Sequence, residues 1–329
     1  MKKLFIVLGI IISIAILVVT AGLIYVSSAL PEVGPAPDIQ IEKTAERIER
    51  GKHLANNVMV CMHCHTPQEK TKFAHPIKEN MLGAGGVLFG VEKEGLPGDY
   101  YSPNLTPYHL GEWTDGEIYR AITSGVSKDG RALFPIMPYP NYAKMNKEDI
   151  YALIAYLRTL EPIETKIPAP KSYFPMNFII NTIPKKAELT SELPDTTNPV
   201  AWGKYLVNAA SCMDCHTPKE QGADIPGMEF AGSFEFGLDD GSIVRTANIT
   251  PDTITGIGLW TEQDFVSRFK AYADTSFQVE EISSGQFNTV MPWGNYAQMS
   301  EEELKAIYAY LKTVTPVKNL VTRFTPVEN

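Results

Sequence analysis

The chain contains the run Cys61-Met62-His63-Cys64-His65 and, further on, the run Cys212-Met213-Asp214-Cys215-His216. Both have the spacing Cys-x-x-Cys-His, and together they hold all four cysteines of the chain. In this spacing each thiol can form a thioether bond to a haem vinyl group, and the adjacent histidine then lies beneath the iron as a ligand. The motifs therefore predict two covalently bound haem c groups, attached through Cys61, Cys64, Cys212 and Cys215, with His65 and His216 as iron ligands.

Paired cysteines also occur in other kinds of site. In an exported protein four cysteines ordinarily indicate two disulfides, and the Cys-x-x-Cys spacing occurs in zinc sites and redox dithiols. A closed zinc site needs further thiol or imidazole ligands, but the second half of the chain has no histidine besides His216 and no cysteine outside its motif. A redox dithiol does not require the histidine. Haem attachment is therefore the favoured interpretation.

The cysteine motif belongs to a longer internal repeat. Further segments recur in the same order in both halves of the chain, which indicates two homologous modules in tandem. The matching pairs are Gly51-Lys52-His53-Leu54 with Gly203-Lys204-Tyr205-Leu206, Asn104-Leu105-Thr106-Pro107 with Asn248-Ile249-Thr250-Pro251, Trp113-Thr114 with Trp260-Thr261, Met137-Pro138 with Met291-Pro292, Asn141-Tyr142 with Asn295-Tyr296, and Ile154-Ala155-Tyr156-Leu157 with Tyr308-Ala309-Tyr310-Leu311.

A second iron ligand should be a residue type found at the same place in both modules. No other histidine of the first module has a histidine counterpart, whereas methionine qualifies twice, as Met137 with Met291 and as Met145 with Met299. Met145 and Met299 precede predicted helix caps and have a packing role there. Met137 and Met291 lie in irregular segments before prolines, so we predict them as axial ligands, with core packing as the alternative.

Ligation by histidine and methionine favours electron transfer. A thioether stabilises reduced iron and raises the reduction potential, and six-coordinate iron has no open position for oxygen or peroxide.

Both modules have mainly helical sequence patterns. A helix is predicted at residues 44–56 and at residues 200–210, directly before each cysteine motif. Two further helices are predicted in each module, because a capping residue is followed three positions later by an acidic one. The caps are Thr114, Thr261, Asn146 and Ser300, the acidic residues are Glu117, Asp264, Asp149 and Glu303, and Met145 and Met299 can pack as hydrophobic staples against Ile150 and Leu304.

Residues 4–26 are almost entirely apolar, and a helix of that length can cross a bilayer core of roughly 30 Å. Lys2 and Lys3 precede it and are expected to stay in the cytoplasm by the positive-inside rule. A signal peptide cleaved near Ser27-Ser28-Ala29 is the alternative, although its apolar core is usually shorter. We therefore expect a single-pass anchor in a bacterial cytoplasmic membrane, with the rest of the chain in the periplasm.

The 329 residues are 44% hydrophobic and carry a net charge of −9, which fits a folded protein and excludes non-specific nucleic-acid binding. The segment between the modules is too apolar for a solvated tether, so we expect it to lie against one or both modules. The predicted layout is a membrane anchor at 1–30, a proline-rich spacer at 31–42, the first module at 43–165, a linker at 166–197, the second module at 198–317 and a C-terminal tail at 318–329.

The repeated motifs resemble those of the multihaem cytochrome c subunits of membrane-bound alcohol, aldehyde and gluconate dehydrogenases. The similarity rests on Gly203-Lys204-Tyr205-Leu206, Asn248-Ile249-Thr250-Pro251 and Met291-Pro292-Trp293, and it extends over nearly all of residues 43–317. It implies a mainly α fold of two class I cytochrome c domains. It also implies a subunit that accepts electrons from a dehydrogenase and passes them to ubiquinone or a downstream oxidase. The commoner family members have three haems, and this chain has two motifs.

Three other functions are compatible with two haems. A dihaem subunit of a haem-copper terminal oxidase also combines a membrane anchor with two such domains. A dihaem peroxidase would need one five-coordinate iron, and a haem-based sensor would need a signalling domain, which does not follow residue 317. The favoured prediction is an electron relay without substrate chemistry, whose partners are a dehydrogenase, a cytochrome or an oxidase.

Overall fold

A computed structural model describes residues 2–274 and 280–327, and it is mainly helical. Helix α1, Lys2–Ser28, is long and apolar enough to cross a membrane, and none of its residues is buried. The first module contains α2 (Ala45–His53), a π-helix (Leu54–Val58), α3 (Cys61–Cys64), a 3-10 helix (Glu79–Met81), β1 (Leu88–Phe89), α4 (Val91–Glu94), β2 (Gly98–Tyr101), α5 (Pro107–Leu110), α6 (Asp115–Ser124), α7 (Tyr139–Tyr142) and α8 (Lys147–Leu157).

The second module repeats five of these helices in the same order, the counterparts of α2, α3, α6, α7 and α8. The linker before it forms β3 (Lys171–Ser172), α9 (Met176–Ile179) and a 3-10 helix (Ile180–Thr182). The second module contains α10 (Pro199–Ala209), α11 (Cys212–His216), β4 (Lys219–Glu220), β5 (Ala223–Asp224), β6 (Glu235–Gly237), β7 (Ile243–Arg245), α12 (Glu262–Lys270), α13 (Trp293–Tyr296) and α14 (Glu301–Leu311), and the C-terminal tail adds β8 (Phe324–Thr325).

Short antiparallel strands tie the ends of each module together. In the first module β1 pairs with β2, and β2 pairs with β3 of the linker, with Gly98 opposite Ser172. In the second module β6 pairs with β7, and β7 pairs with β8, with Val244 opposite Phe324. Strands β4 and β5 form a separate hairpin.

Each module contains a pair of helices that cross and pack against each other. The pair is α2 with α8 in the first module and α10 with α14 in the second. A glycine lies at each crossing. A Cβ atom on Gly51 would lie 1.9 Å from the carbonyl oxygen of Ala152, and one on Gly203 would lie 1.8 Å from that of Ala306. Because real Cβ atoms do not approach so closely, the repeated Gly-Lys pair marks the point where the helices touch.

The predicted helix at 44–56 is interrupted. It consists of α2 and of the π-helix at Leu54–Val58, which is wider than an α-helix. The chain between Leu54 and Cys61 is one residue longer than the matching stretch between Leu206 and Cys212, where α10 is a regular α-helix. A π-helical turn accommodates one extra residue, so it keeps both cysteine motifs in equivalent positions.

Three of the four predicted capping boxes are present, at Thr114, Thr261 and Ser300. The fourth prediction was wrong in part. Asn146 does cap α8 by accepting from the backbone N–H of Glu148 at 2.8 Å, but Asp149 does not complete the box. The Asp149 carboxylate instead accepts hydrogen bonds from Arg50 at 2.8 Å and from Tyr205 of the second module at 2.6 Å.

One continuous cluster of buried side chains includes residues of both modules, among them Leu54 and Leu153 of the first and Leu206 and Leu304 of the second. The linker also packs as predicted: Ile180 is buried beside Tyr100, and the backbone N–H of Lys147 donates to Thr190 at 3.0 Å.

Candidate functional site

The two cysteine motifs have the same local structure. The residue before each motif, Val60 or Ser211, has a left-handed backbone with φ of 46° and 54°. A short helix follows, so the two cysteines of each motif lie three positions apart on one helix face. None of the four cysteines forms a disulfide bond in the described part of the chain.

Burial gives these thiols a neutral character. It raises the pKa of Cys61 to about 12 and that of Cys64 to about 11. Burial first, then the charge of a neighbouring group, raises the pKa of Cys212 and of Cys215 to about 12. Before haem is attached, the thiols of both motifs are therefore protonated at neutral pH.

The histidine of each motif is oriented by a backbone carbonyl. The Nδ1 atom of His65 is 2.8 Å from the carbonyl oxygen of Pro103, and that of His216 is 2.8 Å from that of Ala247. A hydrogen on Nδ1 leaves the Nε2 lone pair available for a metal. Burial lowers the pKa of both imidazoles, to about 4 for His216, so both are neutral, the form that binds iron.

Asparagine and threonine side chains hold the loops that carry these carbonyls. Asn104 follows Pro103, accepts from the backbone N–H of Thr106 at 2.8 Å and donates to Ile163 at 2.7 Å. Asn248 follows Ala247 and makes the matching contacts with Thr250 at 2.9 Å and Val317 at 2.7 Å. This role of the asparagines was not predicted, although the recurrence of Asn-x-Thr-Pro in both modules indicates that these residues share a function.

The predicted methionine ligands also have matching surroundings. Met137 and Met291 are partly buried, and each is followed by a proline that begins a short helix. Their carbonyl oxygens accept from Tyr139 at 2.7 Å and from Trp293 at 2.8 Å. Met145 and Met299 are fully buried in the common core. The assignment of Met137 and Met291 to iron stays a prediction.

Two buried donors of the first module have no hydrogen-bond partner in the described part of the chain. They are the hydroxyl of Tyr139, a residue that is 2% exposed, and the Nε atom of Arg120. An unpaired buried donor costs about 1–3 kcal/mol. These donors fit a first module that is completed by a bound group with acceptor atoms, and haem carries two carboxylates.

The two motifs face each other across the interface between the modules. Asn141 donates to the carboxylate of Asp214, inside the second motif, at 2.7 Å. At the matching position, Asn295 donates to the carbonyl oxygen of Asn56 at 2.8 Å and hydrogen-bonds with His63, inside the first motif. The thiol of Cys64 is also close enough to raise the pKa of the Cys215 thiol, after the larger effects of burial and Asp214.

A second pair of contacts repeats this symmetry. His53 and Tyr205 occupy matching positions in the two modules. His53 Nε2 lies 2.9 Å from the carboxylate of Glu303, and the Tyr205 hydroxyl donates to that of Asp149 at 2.6 Å. The modules are therefore related by an approximate two-fold arrangement that brings the cysteine motifs together.

Residues 48–161 and residues 200–315 each match the family model of cytochrome c, and together they make up more than half of the chain. The protein belongs to the cytochrome c family and contains two cytochrome c domains. It is an electron-transfer protein with two covalently bound haem c groups.

Several characterised relatives are similar over most of this chain. The cytochrome c subunit of alcohol dehydrogenase (quinone) from Gluconacetobacter polyoxogenes is 28% identical over 286 residues, which cover 82% of this chain and 56% of the relative. The fructose dehydrogenase cytochrome subunit from Gluconobacter japonicus is 29% identical, with 81% and 52% covered. A diheme cytochrome c-type protein from Cereibacter sphaeroides is 27% identical, with 67% and 73% covered. The chain thus spans about half the length of the two dehydrogenase subunits.

Proposed function

We propose that this protein is a membrane-anchored dihaem cytochrome c, with class I domains, that relays electrons in the periplasm. A dehydrogenase is the proposed donor, and a downstream cytochrome or terminal oxidase is the proposed acceptor. The first haem is held by Cys61, Cys64, His65 and Met137, and the second by Cys212, Cys215, His216 and Met291.

The observation that carries this proposal is the apposition of the two motifs. Asn141 and Asn295 each reach from one module to the cysteine-motif region of the other, and both modules share one buried core. Two redox groups held on facing motifs in one rigid unit are suited to passing electrons from one to the other. A protein with two independent binding functions has no need of this arrangement.

The proposed ligands predict a specific spectrum. With Nε2 of histidine on one side and a thioether on the other, each iron is six-coordinate and low-spin. The reduced full-length protein should show low-spin c-type absorption bands and should not bind carbon monoxide readily. Rapid binding of carbon monoxide to a major fraction of the haem would contradict this ligation. A high-spin haem together with turnover of hydrogen peroxide would indicate a peroxidase instead.

The donor can be identified in the native membrane. Helix α1 is proposed to be the retained anchor, and two of the named relatives are cytochrome subunits of an alcohol dehydrogenase and a fructose dehydrogenase. The tagged full-length protein should therefore copurify in mild detergent with a dehydrogenase, and the substrate of that dehydrogenase should reduce the haems. Copurification with haem-copper oxidase subunits alone, without any dehydrogenase-dependent reduction, would contradict the proposed donor.

A further inference from the structure

The linker between the modules has an exposed apolar tip. Residues 172–184 contain no charged side chain. Within this stretch Phe174 is 82% exposed and Ile179 is 43% exposed, and the rings of Phe174 and Phe178 contact each other edge to face with centroids 6.5 Å apart. We call residues 172–184 the linker tip. Large apolar side chains grouped on a surface in this way mark a site of interaction.

The linker tip lies at the end of the membrane helix. Helix α9 and the 3-10 helix that follows it pack against α1. The side-chain amide of Asn181 donates to the carbonyl oxygen of Val26, two residues before α1 ends, at 3.3 Å. The apolar surface of the tip is therefore continuous with the surface of a helix whose residues 4–26 are almost entirely apolar.

The other side of the linker tip is attached to the first module. Ile180 is buried together with Tyr100 and Ala132, and Met176 packs against the same cluster. The Tyr173 hydroxyl donates to the carboxylate of Asp99 at 2.6 Å. These contacts fix the exposed rings on a folded support, so that they do not swing freely on a mobile loop.

Lysines flank the apolar stretch on both sides. Lys171 precedes it and Lys185 and Lys186 follow it, and all three are exposed. The Lys171 ammonium lies 5.3 Å from the centre of the Tyr173 ring. The whole chain has a net charge of −9, so a local group of positive charges beside exposed aromatic rings is a feature of this surface in particular. Aromatic rings with flanking lysines are typical of segments at the boundary between lipid and water.

We propose that the linker tip is a second membrane contact. Phe174 and Ile179 enter the apolar boundary of the bilayer that α1 crosses, and the flanking lysines lie at the level of the lipid phosphates. This proposal depends on one part of the proposed function, namely that α1 is retained as a membrane anchor. Its consequence is that the first module is held against the membrane in one orientation, instead of being tethered at a variable distance.

The test is a depth measurement on the full-length haem-containing protein in vesicles of phosphatidylcholine and phosphatidylglycerol. A nitroxide spin label is attached at Phe174→Cys, and the native cysteines do not react because their sulfurs are bonded to haem. The matched control is Leu320→Cys, which replaces an apolar residue that is 86% exposed and lies outside the linker tip. Collision rates are measured with oxygen, which is concentrated in lipid, and with a water-soluble nickel chelate.

The label at position 174 should collide several-fold more often with oxygen than with the nickel chelate, and the label at position 320 should show the reverse. A label at Ile179→Cys should behave like that at position 174. Equal access of the nickel chelate to positions 174 and 320 would overturn the proposal. If α1 did not anchor the protein, the protein would not float with the vesicles. This outcome can therefore be distinguished from the absence of a second membrane contact. Failure of the electron-transfer function would be seen separately in the absorption spectrum.

Discussion

The two predicted histidine ligands are oriented by hydrogen bonds that the sequence motif alone does not show. In each module the imidazole Nδ1 is held by a loop carbonyl, and a buried asparagine next to that carbonyl fixes the loop. Contacts of this kind orient a metal ligand and raise its basicity. The recurrence of Asn104 and Asn248 at matching positions of the two modules is thereby explained by geometry.

The methionine assignment predicts a change in reduction potential. Replacing Met291 by histidine should lower the potential of the second haem by on the order of 0.2 V, since axial ligands set haem potentials over a range of roughly 0.8 V. Met137→His should do the same for the first haem. The measurement is a potentiometric titration of the full-length protein, followed by absorption.

The control for this prediction is Met299→Leu. Met299 is fully buried in the core, so its replacement should change stability by less than about 1.5 kcal/mol and leave both potentials unchanged. If Met299→Leu lowered a potential and Met291→His did not, the assignment of the ligands would be reversed.

At the scale of helices and strands, the sequence predicted the long helices and their caps well. The reason is that Thr261, Ser300 and Asn146 act on their own helices, through contacts within a few residues. The exception at Asp149 has a physical cause. Arg50 and Tyr205 come from other helices, and their three hydrogen bonds to Asp149 outweigh the local capping contact. The short strands were not predicted, because pairing partners such as β3 and β8 are distant in sequence. The π-helical turn was also not predicted.

The helix crossing at Gly203 predicts a large loss of stability on a small substitution. A Cβ at this position would lie 1.8 Å from the carbonyl oxygen of Ala306, which is backbone and cannot move aside without displacing α14. Gly203→Ala should destabilise the protein by about 3 kcal/mol, the upper end of the usual cost of overpacking. Denaturant unfolding followed by far-ultraviolet circular dichroism measures this change.

The neighbouring Lys204 provides the control. It is exposed on the same helix, so Lys204→Ala should change the free energy of unfolding by less than about 0.5 kcal/mol. Equal effects of the two substitutions would mean that α10 and α14 do not cross in contact at Gly203.

At the scale of the whole molecule, the relation between the modules is the part that sequence could not provide. The repeat predicted two similar modules, and the spacing of apolar residues predicted which helix faces are buried. The cross-module contacts of His53 with Glu303 and of Asn141 with Asp214 join residues far apart in the chain, and nothing in the local pattern of either partner indicates them.

The stability contributed by the interface between the two modules should decrease at acid pH. Burial acts to raise the pKa of Glu303, but hydrogen bonding with His53 and the positive charges of His53 and Arg50 outweigh it, so the pKa lies below its usual value. A lowered carboxyl pKa contributes stability above the unfolded-state pKa of about 4.3 and loses it as pH falls. Glu303→Gln should therefore be less stable than the parent at pH 7, and the difference should shrink between about pH 5 and pH 3.

The melting temperature of the full-length protein across this pH range measures the effect. Glu301→Gln, a change of an exposed carboxylate in the same helical turn, should give a pH profile parallel to that of the parent. A stability difference for Glu303→Gln that stayed constant with pH would show that the contact with His53 does not depend on charge.

The attachment of haem at both motifs is tested most directly by the intact mass of the mature protein, expressed together with a working haem-attachment system. The parent should have the mass of its polypeptide plus two haem groups. Replacement of Cys61 and Cys64 by alanine should remove one haem, and replacement of Cys212 and Cys215 should remove the other. A colourless parent whose mass equals that of its amino acids alone would contradict the account.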